Sequence, residues 1–136
     1  KRNKKSFLMS VNNSIQLSFF TALIISLFYL IFFKEIINII TDVEILRFLS
    51  YKHAIWIIII PPIASFCYQL DGIFIGASQT QDMRNGMMIS VASFIILSIY
   101  TTKYFGNHGL WFSLTLFIAL RSITLRYFFK NILKKF

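Results

Sequence analysis

Residues 54–77 read AIWIIIIPPIASFCYQLDGIFIGA and hold a single charge, Asp71. Such a run is long enough to cross a bilayer, which takes about 20 apolar residues. An acid inside it costs about 2.5–3.5 kcal/mol on insertion scales. A carboxylate kept at that cost faces a protein interior or a watery cavity, and it often handles an ion or a substrate. The run therefore points to a membrane protein that moves something.

Composition extends this to the whole chain. Hydrophobic residues make up 57% and charged residues 14% of the 136, with mean hydropathy +0.69; a soluble domain carries about 25% charge. The length accommodates four spans and little else, at about 6–33, 54–77, 83–102 and 110–129, so the expected class is an all-α membrane protein with no soluble domain. The net charge of +9 does not mark a nucleic-acid binder, because the cations flank apolar runs instead of sharing one face. Lys1, Arg2, Lys4 and Lys5 open the chain, and Arg126, Lys130, Lys134 and Lys135 close it. The chain starts at Lys1 with no signal-peptide cleavage site, which reads as a piece cut from something longer.

Residues that could carry enzyme chemistry are sparse. His53 and His108 fall at opposite ends of the expected outward side, without Cys partners or metal-ligand spacing. No Ser-His-Asp or Cys-His adjacency and no glycine-rich phosphate loop occurs. Neither an enzyme nor a bound cofactor is expected. Cys67 excludes an internal disulfide and reads as a small packed thiol. The sixteen Phe residues are spread over all spans and suit lipid-facing and interhelical roles. Trp56, Tyr104 and Trp111 fall near one expected interface and Tyr127 near the other, as in aromatic belts.

The connections are punctuated. Thr41-Asp42-Val43-Glu44 fits a capping box, so residues 41–51 are expected to form an amphipathic entry into the second span. Residues 79–82 form a short polar link, and Gly106-Asn107-His108-Gly109 a tight turn. The link before the second span balances Lys34, Arg47 and Lys52 against Glu35, Asp42 and Glu44. With both ends basic, the positive-inside rule places both termini in the cytoplasm. Within span two, Pro61-Pro62 predicts a kink or a local break, either a static bend or a hinge. Gly72 and Gly76 form a GxxxG pair that would allow close helix approach.

Arg121 is the other charge within a span. It lies about 12 Å from the inner end of span four, and Asp71 about 9 Å from that of span two, at the helical rise per residue. Similar depth and opposite sign allow an interhelical pair; snorkelling of Arg121 to the headgroups is the alternative.

The string Gln69-Leu70-Asp71-Gly72-Ile73-Phe74-Ile75-Gly76-Ala77, followed by Thr80 and Met83-Arg84-Asn85, carries a resemblance. With Gly106-Asn107-His108-Gly109-Leu110-Trp111 and Arg121, it resembles the carboxyl-terminal third of a multidrug and toxic compound extrusion (MATE) transporter of the DinF-like branch. Span one with Ile39-Ile40-Thr41-Asp42 and Glu44 is similar to that family's ninth helix and its exit. The resemblance implies helices nine to twelve of a twelve-helix, two-lobed fold in the inner membrane. The implied partners are the lipid bilayer, a missing amino-terminal lobe and small organic substrates. The implied activity is sodium- or proton-coupled antiport exporting organic compounds. Asp71 matches a tenth-helix acid assigned to cation binding in NorM-like members; in the DinF-like branch the coupling acid is assigned to the first helix. Arg121, Tyr68 and Gln69 are supporting candidates. Three alternatives stand beside this: a lipid-linked oligosaccharide flippase of the same superfamily, a structural or assembly membrane protein, and a nonfunctional remnant of a split transporter gene. Flippases line their cavities with several cations, whereas here only Arg121 qualifies.

Overall fold

The computed structural model describes residues 4–134; the terminal cations Lys1, Arg2 and Lys135 lie outside them. Four helices follow one another: α1 (Lys4–Ile40), α2 (Glu44–Gly76), α3 (Thr80–Phe105) and α4 (Asn107–Leu133). Each is long and apolar enough to cross a membrane, and the described residues contain no strand. The all-α, four-span expectation holds.

The connections are shorter than the sequence pattern predicts. Residues 44–51 are the first turns of α2, a fresh helix after the 41–43 link that runs on through span two to Gly76. At a rise of about 1.5 Å per residue, a helix of this length exceeds a hydrocarbon core of about 30 Å, so one end projects beyond it. The capping box is not made. Val43, not Thr41, is the residue before α2, and no side chain caps the helix. The Thr41 hydroxyl instead accepts from the Val43 amide at 3.3 Å. Arg47 folds back over this link, its Nε donating to the Thr41 carbonyl at 2.7 Å and its Nη2 to Asp42 Oδ1 at 3.1 Å. The second link is residues 77–79, and the third is Gly106 alone. Gly106 has φ +58° and ψ −135°, a conformation that needs the freedom of glycine. The expected Gly-Asn-His-Gly turn is therefore mostly the start of α4.

The buried core lies between α2 and α4. Leu70 and Phe74 pack on Leu125 and Ile132, and Ala64 and Cys67 on Ile118. Successive α2 residues meet successive α4 residues, so the two helices run parallel, with α3 returning between them in the chain.

Pro61-Pro62 does not break α2. Proline at position 62 leaves the Ile58 carbonyl without its helical donor. Ser26 of α1 supplies one, its Oγ donating to Ile58 O at 2.7 Å. This is how an interior proline is tolerated where water is absent. Ser26 belongs to a stripe of small residues, Ser14, Ser18, Ala22 and Ser26, spaced by four along α1, and its last two members, Ala22 and Ser26, are buried.

The close-approach glycines are not the pair the motif suggested. A Cβ on Gly72 or Gly76 would meet nothing within 4 Å. On Gly109 it would lie 2.1 Å from the Thr101 carbonyl oxygen, and on Gly86 it would lie 3.1 Å from Thr124 Oγ1. Both contacts join α3 to α4. Hydrogen bonds reinforce the upper one: Thr101 Oγ1 donates to Gly109 O at 3.0 Å and lies 2.6 Å from Ser113 Oγ. At the other end Asn131 Nδ2 donates to Asp82 Oδ2 at 3.0 Å. α3 and α4 thus form a hairpin tied at both ends.

Candidate functional site

Asp71 and Arg121 meet. The parallel course of α2 and α4 brings them to the same level, between the Ala64–Cys67–Ile118 and Leu70–Phe74–Leu125 contacts. Arg121 Nη2 donates to Asp71 Oδ1 at 2.8 Å and Nε donates to Oδ2 at 3.2 Å. The side chains are only 10% and 15% exposed, respectively. This two-pronged geometry is the strongest arrangement a guanidinium and a carboxylate can take. Of the two readings open for Arg121, pairing rather than snorkelling is realised. The third face of the guanidinium is turned to α3, with Nη1 against the Met87 sulfur.

The pair joins three helices. α2 supplies the carboxylate, α4 the guanidinium and α3 the thioether. Arg121 also reaches a groove of about 540 Å³ along α3, lined by Met83, Met87, Met88 and Val91. Methionine's flexible, polarisable side chain suits an adaptable surface of this kind.

The other candidates fall elsewhere. Gln69 points to α1, accepting from Ser18 Oγ at 3.0 Å and donating to Ser14 Oγ. Tyr68 is 67% exposed and, with Ser18, Pro61 and Gln69, borders a groove of about 460 Å³ between α1 and α2. Neither reaches the ion pair, and Pro61, Pro62, Gly72 and Gly76 contribute no polar group to it. Cys67 is buried, 1% exposed, and packs as a small hydrophobe.

Sequence reasoning overlooked Met87, whose partnership needs the fold, and Ser14, Ser18 and Ser26, whose spacing in multiples of four was visible. It also placed the two histidines apart. The rings of His53 and His108 stack with centroids 4.2 Å apart, because the third turn of α2 stands level with the first turn of the parallel α4. The Trp56 indole donates to His108 Nδ1 at 3.2 Å. No group of three or more metal-ligating residues occurs among the described residues.

Comparison with known proteins agrees with this architecture. No family model and no solved structure matches the chain. Over 104 residues it is 40% identical to DNA damage-inducible protein F of Escherichia coli (strain K12), a match covering 76% of this chain and 22% of that protein. It is also 40% identical over 63 residues to Protein DETOXIFICATION 43 of Arabidopsis thaliana, covering 46% of this chain and 12% of that protein. The chain thus spans about a fifth or less of the length of these curated relatives. By this relationship, and by its four apolar helices, the chain belongs to the MATE family, in its DinF-like branch.

Proposed function

We propose that the chain is the carboxyl-terminal part of a secondary carrier, domain 1–136, that exports small organic compounds in exchange for sodium or protons. The observation that carries this reading is the buried Asp71–Arg121 pair, set in a chain related to DNA damage-inducible protein F. In this reading the carrier sits in the inner membrane with both termini of the chain cytoplasmic, completed by an amino-terminal lobe. Alternating access then proceeds by one repeat rocking against the other around a midplane site.

The geometry shapes the mechanism. Both oxygens of Asp71 are occupied by Arg121, so a coupling cation competes with the guanidinium for the same carboxylate. When the cation or a proton takes Asp71, Arg121 is freed into the groove along α3, beside Met87. Ion binding on α2 thereby changes how α2 is held to the α3–α4 hairpin. A ligand shifts such an equilibrium only by its differential affinity for the two arrangements, and Asp71 supplies that difference because it binds either partner but not both.

Transport assays in membrane vesicles, with the complete carrier that contains this sequence, test the reading. Asp71→Asn keeps the shape of the side chain and removes the charge. The expected result is a folded, inserted protein without ion-driven export. Export that persists undiminished in the Asp71→Asn, Arg121→Gln double variant would show that the pair only braces the helices.

A further inference from the structure

We infer that His53, His108 and Trp56 form a proton-sensitive clasp, which holds the third turn of α2 to the start of α4 when both imidazoles are neutral and releases it when they are protonated. The hydrogen bonds fix the neutral tautomers. The Leu49 carbonyl can only accept, so His53 Nδ1, 2.7 Å from it, carries a hydrogen. The His53 Nε2 is then a bare lone pair, buried and without a partner. An indole can only donate, so His108 Nδ1 is bare where it receives Trp56 Nε1 at 3.2 Å, and its hydrogen sits on Nε2. The two neutral rings stack at 4.2 Å and 28°.

A proton disrupts each part of this arrangement. On His108 Nδ1 it sets two donors against each other and removes the acceptor of Trp56. On His53 Nε2 it creates a buried N–H with no acceptor, the costly condition for a polar group. Two protons place two cations face to face. His108 is also the second residue of α4, where the helix dipole disfavours a cation. Among the described residues no acid hydrogen-bonds or pairs with either imidazole. The charged and titratable groups at this end are Lys34 and Glu35 on α1, Asp42 in the link, Glu44, Arg47, Tyr51 and Lys52 on α2, and Lys103 and Tyr104 on α3. Among the described residues, none of them bonds or pairs with either imidazole; Asp42 is taken by Arg47, and the Tyr51 hydroxyl donates to Asn38.

The mechanical consequence follows from the packing. α4 is tied to α3 at this end by Thr101, Gly109 and Ser113. Release of the clasp therefore moves the α3–α4 hairpin as a unit away from α2, pivoting on the Leu70–Phe74–Leu125–Ile132 core at the far end. The clasp stands on local geometry and does not depend on the carrier reading.

The test uses the full chain in lipid nanodiscs, titrated from about pH 8 to about pH 5 across the imidazole range. Spin labels at Lys52→Cys and Asn107→Cys, with Cys67→Ser, report the separation of the third turn of α2 from the start of α4. In a Trp111→Phe version Trp56 is the sole indole. Acid is expected to lengthen the labelled distance by several ångströms and to shift the Trp56 emission, since the indole loses its hydrogen-bond acceptor when His108 moves away. Both responses should vanish in the His53→Gln, His108→Gln double variant. The inference is overturned by a distance that does not change with pH in the histidine-bearing chain, by emission that changes at constant distance, or by the same acid response in the double variant.

Discussion

The Asp71–Arg121 pair ties α2 to α4 through two hydrogen bonds between nearly buried charges. Removing one partner of a buried ion pair strands the other charge, at a cost of about 3–5 kcal/mol in soluble proteins, whereas replacing both with neutral groups of similar shape is far milder. Asp71→Asn alone is accordingly expected to lower thermal stability, with Arg121→Gln restoring most of the loss. A melting series on the two single variants and the double, in the same detergent or lipid, checks this; additive losses would contradict the pairing energetics. The pair was half legible in the sequence. Opposite charges at similar depth in two apolar runs allowed it, but equally allowed Arg121 to reach the headgroups. What decides is the parallel alignment of α2 and α4, which no local pattern encodes. Met87 was hidden for the same reason, because a thioether becomes a partner only once α3 delivers it. The histidines show the opposite failure. They were set apart on the strength of their distance along the chain, while the parallel course of α2 and α4 brings the third turn of one level with the first turn of the other.

At the level of helices, small residues set which faces touch. Gly109→Ala drives a methyl into the Thr101 carbonyl, an overpacking that costs about 1–3 kcal/mol or more. Gly72→Ala meets open space within the chain and gains helix propensity of about 1 kcal/mol. The two substitutions should thus move unfolding of the isolated chain in opposite directions, as denaturant titration in mild detergent would read. Ser26→Ala removes the donor to Ile58. Interhelical hydrogen bonds in membranes average about 0.6 kcal/mol, and a modest loss is expected, with Ser26→Thr, which keeps the hydroxyl, falling between. A loss equal to that of a large core truncation would mean that the proline site has no other support. The four apolar spans were plain from composition, and the stripe of Ser14, Ser18, Ala22 and Ser26 could have named the α1–α2 face. The GxxxG pattern of Gly72 and Gly76 drew attention away from it, although close approach depends on which side of a helix a neighbour occupies. The links were overestimated, because α4 begins at Asn107 and takes in Asn107, His108 and Gly109, whose turn chemistry a long helix absorbs.

For the molecule as a whole, much apolar surface remains uncovered. Leu17, Phe20, Ile24 and Ile31 of α1 are all more than half exposed, as suits contact with lipid or with further helices. We expect the isolated chain not to support export, because alternating access needs a second repeat; drug accumulation measured in cells expressing it alone checks this, and measurable efflux would refute it. Impermeant thiol labelling in intact cells is expected to spare a cysteine at Asn131 and to reach one at Asp42, and the reverse pattern would invert the topology. The single-residue connection at Gly106 has a bearing on biogenesis. A link of one residue favours entry of α3 and α4 into the membrane as one closed hairpin. Entry in that form would carry Arg121 in with Met87 of α3 beside it, leaving Asp71 of α2 as the partner it has still to meet.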